Sequence, residues 1–178
     1  MFENFSKVIF RSIRLDKNLY KDLNSFGELS LYYAGLIMVL DGVAGAIALS
    51  TLYKTNFIFS GITALLSWLV WGVLIYVIGI KLFPDPSTNA NFKKILVTVG
   101  FAHAPGLFRF FVFMPSLVVP IVFLTQFWIF ASLIIGVRET LNFKSNFKSA
   151  GVIMIAFLII SIVSLSFVMD RINTMSIN

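Results

Sequence analysis

Cysteine is absent from the 178 residues, which excludes disulfides, thiol redox chemistry and cysteine-ligated metals and leaves the redox compartment open. Histidine occurs once, as His103. A metal site without thiolates and with a single imidazole would need carboxylates, and Asp41 is the only one deep in an apolar run. No metal or cofactor is therefore expected. The chain also lacks a Walker loop, a dinucleotide fingerprint and a His-Glu-x-x-His helix, and has no histidine to spare for a Ser/His/Asp set. An enzyme is not expected. Charged residues make up only 12% of the chain, with eight acids against fourteen bases. A net charge of +6 in a soluble protein would suggest nucleic acid, but no groove-reading motif accompanies it, so no nucleic-acid partner is expected.

What is present is apolar. Hydrophobic residues reach 58% and mean hydropathy is +0.93, well outside the range of soluble domains. Five runs, Leu29–Tyr53, Phe57–Phe83, Ile95–Phe113, Leu117–Val137 and Ala150–Met169, approach or exceed the ~20 residues a helix needs to cross a bilayer core. Lys and Arg crowd into alternate gaps, eleven against three. Cytoplasmic loops retain basic residues, so the N-terminus is placed in the cytoplasm and the C-terminus outside. The expected fold is an all-α integral membrane protein with five transmembrane helices and a short N-terminal interfacial amphipathic helix. Residues 1–28 form a cytoplasmic segment, 29–169 the membrane domain and 170–178 an external tail. A cleaved signal peptide is not expected, because the first run begins at residue 29 and is too long for a signal core.

In the N-terminal segment Phe2, Phe5, Val8, Ile9 and Ile13 share one helical face, while Lys7, Arg11 and Arg14 occupy the other; Phe10 and Leu15 depart from the pattern. That pattern describes a helix lying at the membrane surface, basic face toward anionic headgroups. Short turns join the first two runs and the third and fourth, and the longer loops lie on the cytoplasmic side. A weak repeat links the two cytoplasmic hairpins: Trp71 and Trp128 each precede a Gly by eight residues, at Gly79 and Gly136, and each hairpin then reaches Asn-Phe-Lys.

Three residues form the candidate intramembrane polar site. Asp41 lies mid-run on a face of small residues, Ala34, Ala44, Gly45 and Ala48, that admits another helix and turns the acid inward. An intramembrane acid is either a functional site or a buried, hydrogen-bonded packing residue. His103 sits at similar depth within Gly100-Phe101-Ala102-His103-Ala104-Pro105-Gly106. Pro105 has no N–H, so the Phe101 carbonyl loses its helical donor, and Gly106 loosens the backbone further: a kink is expected here, with Gly100 and Ala104 as packing positions. Either the imidazole bonds the freed carbonyl, or it shares a proton with Asp41 as in the broken helices of transporters. Arg109 is expected to snorkel to the outer interface. Trp68 and Trp71 read as helix-packing residues.

Several local patterns carry a family resemblance. Leu69-Val70-Trp71 leads through Tyr76 and Gly79 to Lys81-Leu82-Phe83; Phe92-Lys93-Lys94 and Gly100 to Leu107 follow; Trp128 then precedes Ile135-Gly136-Val137-Arg138-Glu139. Over roughly residues 10 to 168 the chain resembles the Yip-domain proteins, named for interaction with Ypt/Rab GTPases, and in particular their short prokaryotic relatives. The resemblance implies a compact polytopic fold and, in eukaryotic members, roles in vesicle transport and Rab-linked membrane organisation. It supplies no catalytic residues. The segment ahead of the first run is short, which argues against direct Rab recognition. The expected function is therefore a non-enzymatic protein of the prokaryotic inner membrane that organises or assists other membrane components, alone or as a homo-oligomer. The alternative is a small oligomeric transporter or proton-coupled carrier using Asp41 and His103.

Overall fold

The computed structural model describes residues 2–23, 27–50, 52, 54–88 and 90–176, with side chains described from 4 to 166 among them. All regular structure among these residues is helical: α1 Phe2–Ile13, α2 Lys17–Lys21, α3 Leu29–Ser50, α4 Phe57–Tyr76 continuing as a π-helix Val77–Leu82, α5 Phe92–Ala102, a 3₁₀ segment Ala104–Phe111, α6 Pro115–Leu141 and α7 Asn146–Ser176. Local chemistry sets the boundaries. Asn56 and Asn91 cap α4 and α5, accepting from the N–H groups of Phe59 (3.0 Å) and Lys94 (2.9 Å). Pro115 opens α6 at a position where its missing N–H costs nothing. The helices α1 and α6 end in the same way. Leu15 and Asn142 adopt left-handed φ of 56° and 58°, and the next residue's N–H reaches back five positions, Asp16 to Arg11 and Phe143 to Arg138.

Among the described residues four helical stretches are long and apolar enough to cross a membrane: Leu29–Ser50, Phe57–Leu82, Pro115–Leu141 and Asn146–Ser166, with mean hydropathies of 1.7 to 2.4. The third run corrects the five-helix expectation. It is not one long helix but two short pieces, α5 and the 3₁₀ segment, joined at His103. Pro105 is the cause, since it cannot donate to Phe101 and stands in the first turn of the 3₁₀ segment. The two pieces run alongside α3. Gly100 lies against Ala34, where a Cβ would come within 2.6 Å of the Ala34 Cβ; Gly106 lies against Asp41; and Val112 packs with Ala48 and Val118. The small face of α3 thus receives the broken segment, and Ala34, Ala44 and Ala48 are fully buried. On its neighbouring side α3 meets α4, where Gly42 lies so close to Ala64 and the Ser60 carbonyl that no Cβ would fit.

The N-terminal helix also departs from expectation. Of the face assigned to the acyl boundary, Val8 is fully buried and Phe5, Ile9 and Ile13 are partly buried, while the Phe2 side chain lies outside the described residues. The Phe5 ring packs 5.5 Å from that of Tyr33, Trp128 Nε1 donates to the Ile13 carbonyl at 2.9 Å, and the neighbouring Ser12 is fully buried. The reason is the break itself. The Phe101 carbonyl, deprived of its donor by Pro105, accepts from Ser12 Oγ, and Tyr20 of α2 joins the same group through Ser132 Oγ at 2.6 Å. Pro105 takes one donor from this buried carbonyl, and α1 supplies another. Ser12→Val, which keeps the volume and removes the donor, is expected to destabilise the fold by about 1–3 kcal/mol. Thermal unfolding in detergent, read with faster tryptic cleavage at Arg11 and Arg14, measures it. On the basic face Arg11 is engaged by Asp16 (2.7 Å) and Asp22 (3.5 Å), while Lys7 and Arg14 stay exposed.

The loop after the π-helix docks on the loop between α6 and α7. Lys148 binds the Pro84 carbonyl at 3.1 Å and the Asp85 carboxylate, and Ser87 Oγ donates to the Asn142 carbonyl at 3.0 Å. The two Asn-Phe-Lys sequences are used differently: Asn91 caps α5, whereas Asn146 is the first residue of α7. The hydrogen bond from Lys148 holds the Asp85 carboxyl below the usual aspartate value of 3.8. A lowered folded-state pKa stabilises the docked loops above the unfolded value, and this contribution is lost as pH falls through the folded one. Amide protection across 84–88 and 143–148 is therefore expected to hold at neutral pH and to decline on acidification below the ordinary aspartate range. Asp85→Asn should flatten that dependence.

Candidate functional site

Three elements bring the site together: α3 contributes Asp41, the junction of α5 and the 3₁₀ segment contributes His103, and the 3₁₀ segment itself contributes Arg109. Asp41 is only 6% exposed. Its Oδ2 lies 2.8 Å from His103 Nδ1, and its Oδ1 accepts from Arg109 Nη1 at 3.0 Å. Arg109 continues into α6, with Nε donating to Thr125 Oγ1 at 3.0 Å and Nη2 to Gln126 Oε1 at 3.2 Å. One carboxylate therefore holds two basic groups, and the guanidinium ties α3 to α6 through the broken segment.

Pro105 and Gly106 make this geometry possible. The proline stops α5 and turns the chain into the tighter 3₁₀ path. At Gly106 the carboxylate comes so close to the backbone that a Cβ would overlap Asp41 Oδ1 and lie 2.6 Å from its Cγ. Only glycine admits the acid here. Ala104, fully buried, opens the 3₁₀ segment. The positions Gly100 and Gly45 have different surroundings: Gly100 is in tight contact with Ala34, whereas the nearest atom to a Cβ on Gly45 would be Arg109 Nη1, at 3.9 Å.

The placement of Arg109 corrects the expectation that it snorkels outward. In an unbroken helix its long stem would reach the interface. On the 3₁₀ path it faces α3 and α6, where a buried acid and two polar side chains take its hydrogen bonds. His103 likewise does not bond the Phe101 carbonyl; Ser12 does. Because Nδ1 faces a carboxylate, it carries a hydrogen, which leaves Nε2 with a bare lone pair in the neutral ring or a second N–H in the imidazolium. That Nε2 is buried and has no hydrogen-bond partner among the described residues. With a neutral imidazole the cluster sums to zero charge, and with a protonated one to a single positive charge.

Sequence reasoning did not single out Ser12, Thr125 or Gln126. The adjacent Thr125-Gln126 pair is a polar interruption of an otherwise apolar run, and that was the available signal. Nor did it find a cleft of about 280 Å³ between α3 and α4, where Asp41, Arg109 and the α4 hydroxyls Ser60, Thr63 and Ser67 stand among apolar residues such as Ala46, Leu49 and Ala64. Spacings of three and four residues put those hydroxyls on one helical face. Trp68 is buried and donates from Nε1 to the Leu96 carbonyl at 2.7 Å, bracing α4 against α5. Among the described residues no group of three or more His, Cys, Asp or Glu side chains is arranged to hold a metal ion.

Four long apolar helices and a broken segment wrapped around a compensated charge cluster define a helical integral membrane protein. The family model of the Yip1 domain matches residues 21–168. The chain belongs to the Yip1-domain family. No curated protein and no solved structure gives a significant match.

Proposed function

We propose that this chain is a non-enzymatic, Yip-type protein of the prokaryotic cytoplasmic membrane that organises or assists other membrane components through its span surfaces and basic cytoplasmic loops. The observation that supports this reading best is the state of the interior charge. Both carboxylate oxygens of Asp41 are engaged, one by Arg109 and one by His103, so the cluster serves to hold the broken segment between α3 and α6. The outer faces of the long helices, by contrast, are apolar and unpartnered, with Ile58 at 78% and Val119 at 70% exposed. Such faces are available to lipid, to other spans or to a second copy of the chain.

In this reading the segment from α5 through the 3₁₀ turns makes the fifth crossing, because it runs alongside α3 from Ala34 to Ala48. The N-terminus is then cytoplasmic and the C-terminus external, as the distribution of Lys and Arg requires. A reporter fused after Asn178 is expected to score as external, and a cytoplasmic score would remove the fifth crossing. The role itself is tested by purifying the protein from its own membrane in a lipid-preserving detergent and identifying stoichiometric companions by mass spectrometry. A reproducible protein partner is the expected result. A pure homo-oligomer that carries a proton-coupled flux in liposomes would replace the organising role with transport.

A further inference from the structure

We propose that the cleft between α3 and α4, mostly apolar in its lining but carrying hydroxyls and the Arg109 guanidinium, is a binding site for the phosphate-bearing headgroup of a bilayer lipid. The proposal goes beyond the organising role and does not rest on it. Three features of the cleft carry it: what it offers, how it is opened, and where it faces.

The cleft offers donors. Ser60 and Ser67 have hydroxyls with no hydrogen-bond partner among the described residues, on the same wall as Thr63. A guanidinium has five N–H groups, and Arg109 uses three of them, toward Thr125, Asp41 and Gln126. The one strong acceptor in the lining, Asp41, is already engaged by Arg109 and His103. A site with free donors and an engaged acceptor suits an acceptor-rich anion, and a phosphodiester is the form in which a bilayer presents one.

Gly45 opens the way to the guanidinium. A Cβ there would meet only Arg109 Nη1, at 3.9 Å, so the glycine leaves a window on α3 through which that nitrogen faces the cleft. Gly42, one turn earlier, is closed by Ala64 and Ser60. The window is therefore local to Gly45.

The setting points to the bilayer as the source. The cleft lies beside exposed Leu49, Ile62 and Leu66 on the outward surface of long apolar helices. At Ser67 it adjoins a second groove of about 360 Å³ between α4 and α7, walled by Val70, Trp71, Leu74, Ile159 and Val163. A cleft with a few hydrogen-bond donors, continued by a groove walled by large apolar side chains, fits one amphiphile. A soluble anion would have no use for the second groove.

The test uses the full chain, delipidated in detergent, with dioleoyl phosphatidylglycerol as probe and native mass spectrometry as readout. One phosphatidylglycerol is expected to remain on each chain. Dioleoylglycerol, which has the same chains and no phosphate, should be retained about tenfold less. Gly45→Leu, which fills the window beside Arg109 without adding or removing a charge, should lower phosphatidylglycerol retention about tenfold while leaving the unfolding temperature within a few degrees. If Gly45→Leu does not fold, the Ser60→Ala, Ser67→Ala double variant, which only removes hydroxyls, should show the same loss. Equal retention of dioleoylglycerol, or undiminished retention in a folded variant, would overturn the proposal. Displacement by inorganic phosphate would assign the site to a soluble anion and overturn the lipid source.

Discussion

Asp41→Asn is expected to destabilise the protein by about 3–5 kcal/mol, although it changes a single atom of the side chain. Among the described residues the carboxylate is the only acid contacting Arg109, and the two side chains are 7% and 12% exposed. An amide can still accept from His103 Nδ1, but it supplies no charge to the guanidinium, and an uncompensated buried cation is the costly part of a broken pair. The double variant Asp41→Asn, Arg109→Gln removes both charges and keeps hydrogen-bonding groups on both sides. It is expected to recover most of the loss, since a neutral replacement of a buried pair is often close to neutral overall. Thermal unfolding of the two single variants and the double in the same detergent closes the cycle. If Asp41→Asn alone proves as stable as the parent, the acid is not the counter-charge of Arg109. A carrier that relays protons through Asp41 would give another pattern, with flux abolished in a variant whose stability is intact.

Gly106→Ala is the second large effect. The added methyl would overlap Asp41 Oδ1, and that atom cannot retreat without stretching the 3.0 Å bond to Arg109 Nη1. The 3₁₀ backbone has little freedom to yield either, because the Gly106 N–H is held by the His103 carbonyl at 2.9 Å. Overpacking costs typically about 1–3 kcal/mol, and losing the ion-pair geometry adds to it, so the variant should unfold at least as readily as Asp41→Asn. Gly45→Ala is the matched control. Its methyl has ordinary space on the same face of the cluster, and alanine favours the helix by about 1 kcal/mol over glycine. Equal behaviour of the two alanine variants would mean that Gly106 is not in contact with the acid.

These two residues also show where local reading stops. Pro105 announced the interruption of the third run, because a missing N–H acts on the carbonyl four residues earlier wherever the chain folds. Asp41 stood out for a similar reason: an acid in mid-run beside Ala44, Gly45 and Ala48 is visible from spacing alone. Arg109 was misread. Its outward reach followed from helical geometry, and the 3₁₀ path that replaces the helix turns it toward a partner 68 positions away. Ser12 passed without notice, since nothing near it in the sequence shows that a carbonyl 89 positions distant accepts from its hydroxyl. The hydroxyl stripe Ser60, Thr63 and Ser67 was present in the sequence, but a stripe becomes a cleft only when the glycines of α3 face it.

Hydropathy, helix caps and proline act through nearest neighbours and add along the chain. The sequence by itself therefore determined that this is a helical membrane protein, where its apolar runs lie, and that the run containing Pro105 is interrupted. Which groups satisfy one another was decided only by the tertiary structure. The worth of a buried charge or an open carbonyl depends on the atom opposite it, and that atom comes from another helix. The inward turn of Arg109 to Asp41, the docking of α1 on the break and the cleft behind Gly45 all belong to that second kind.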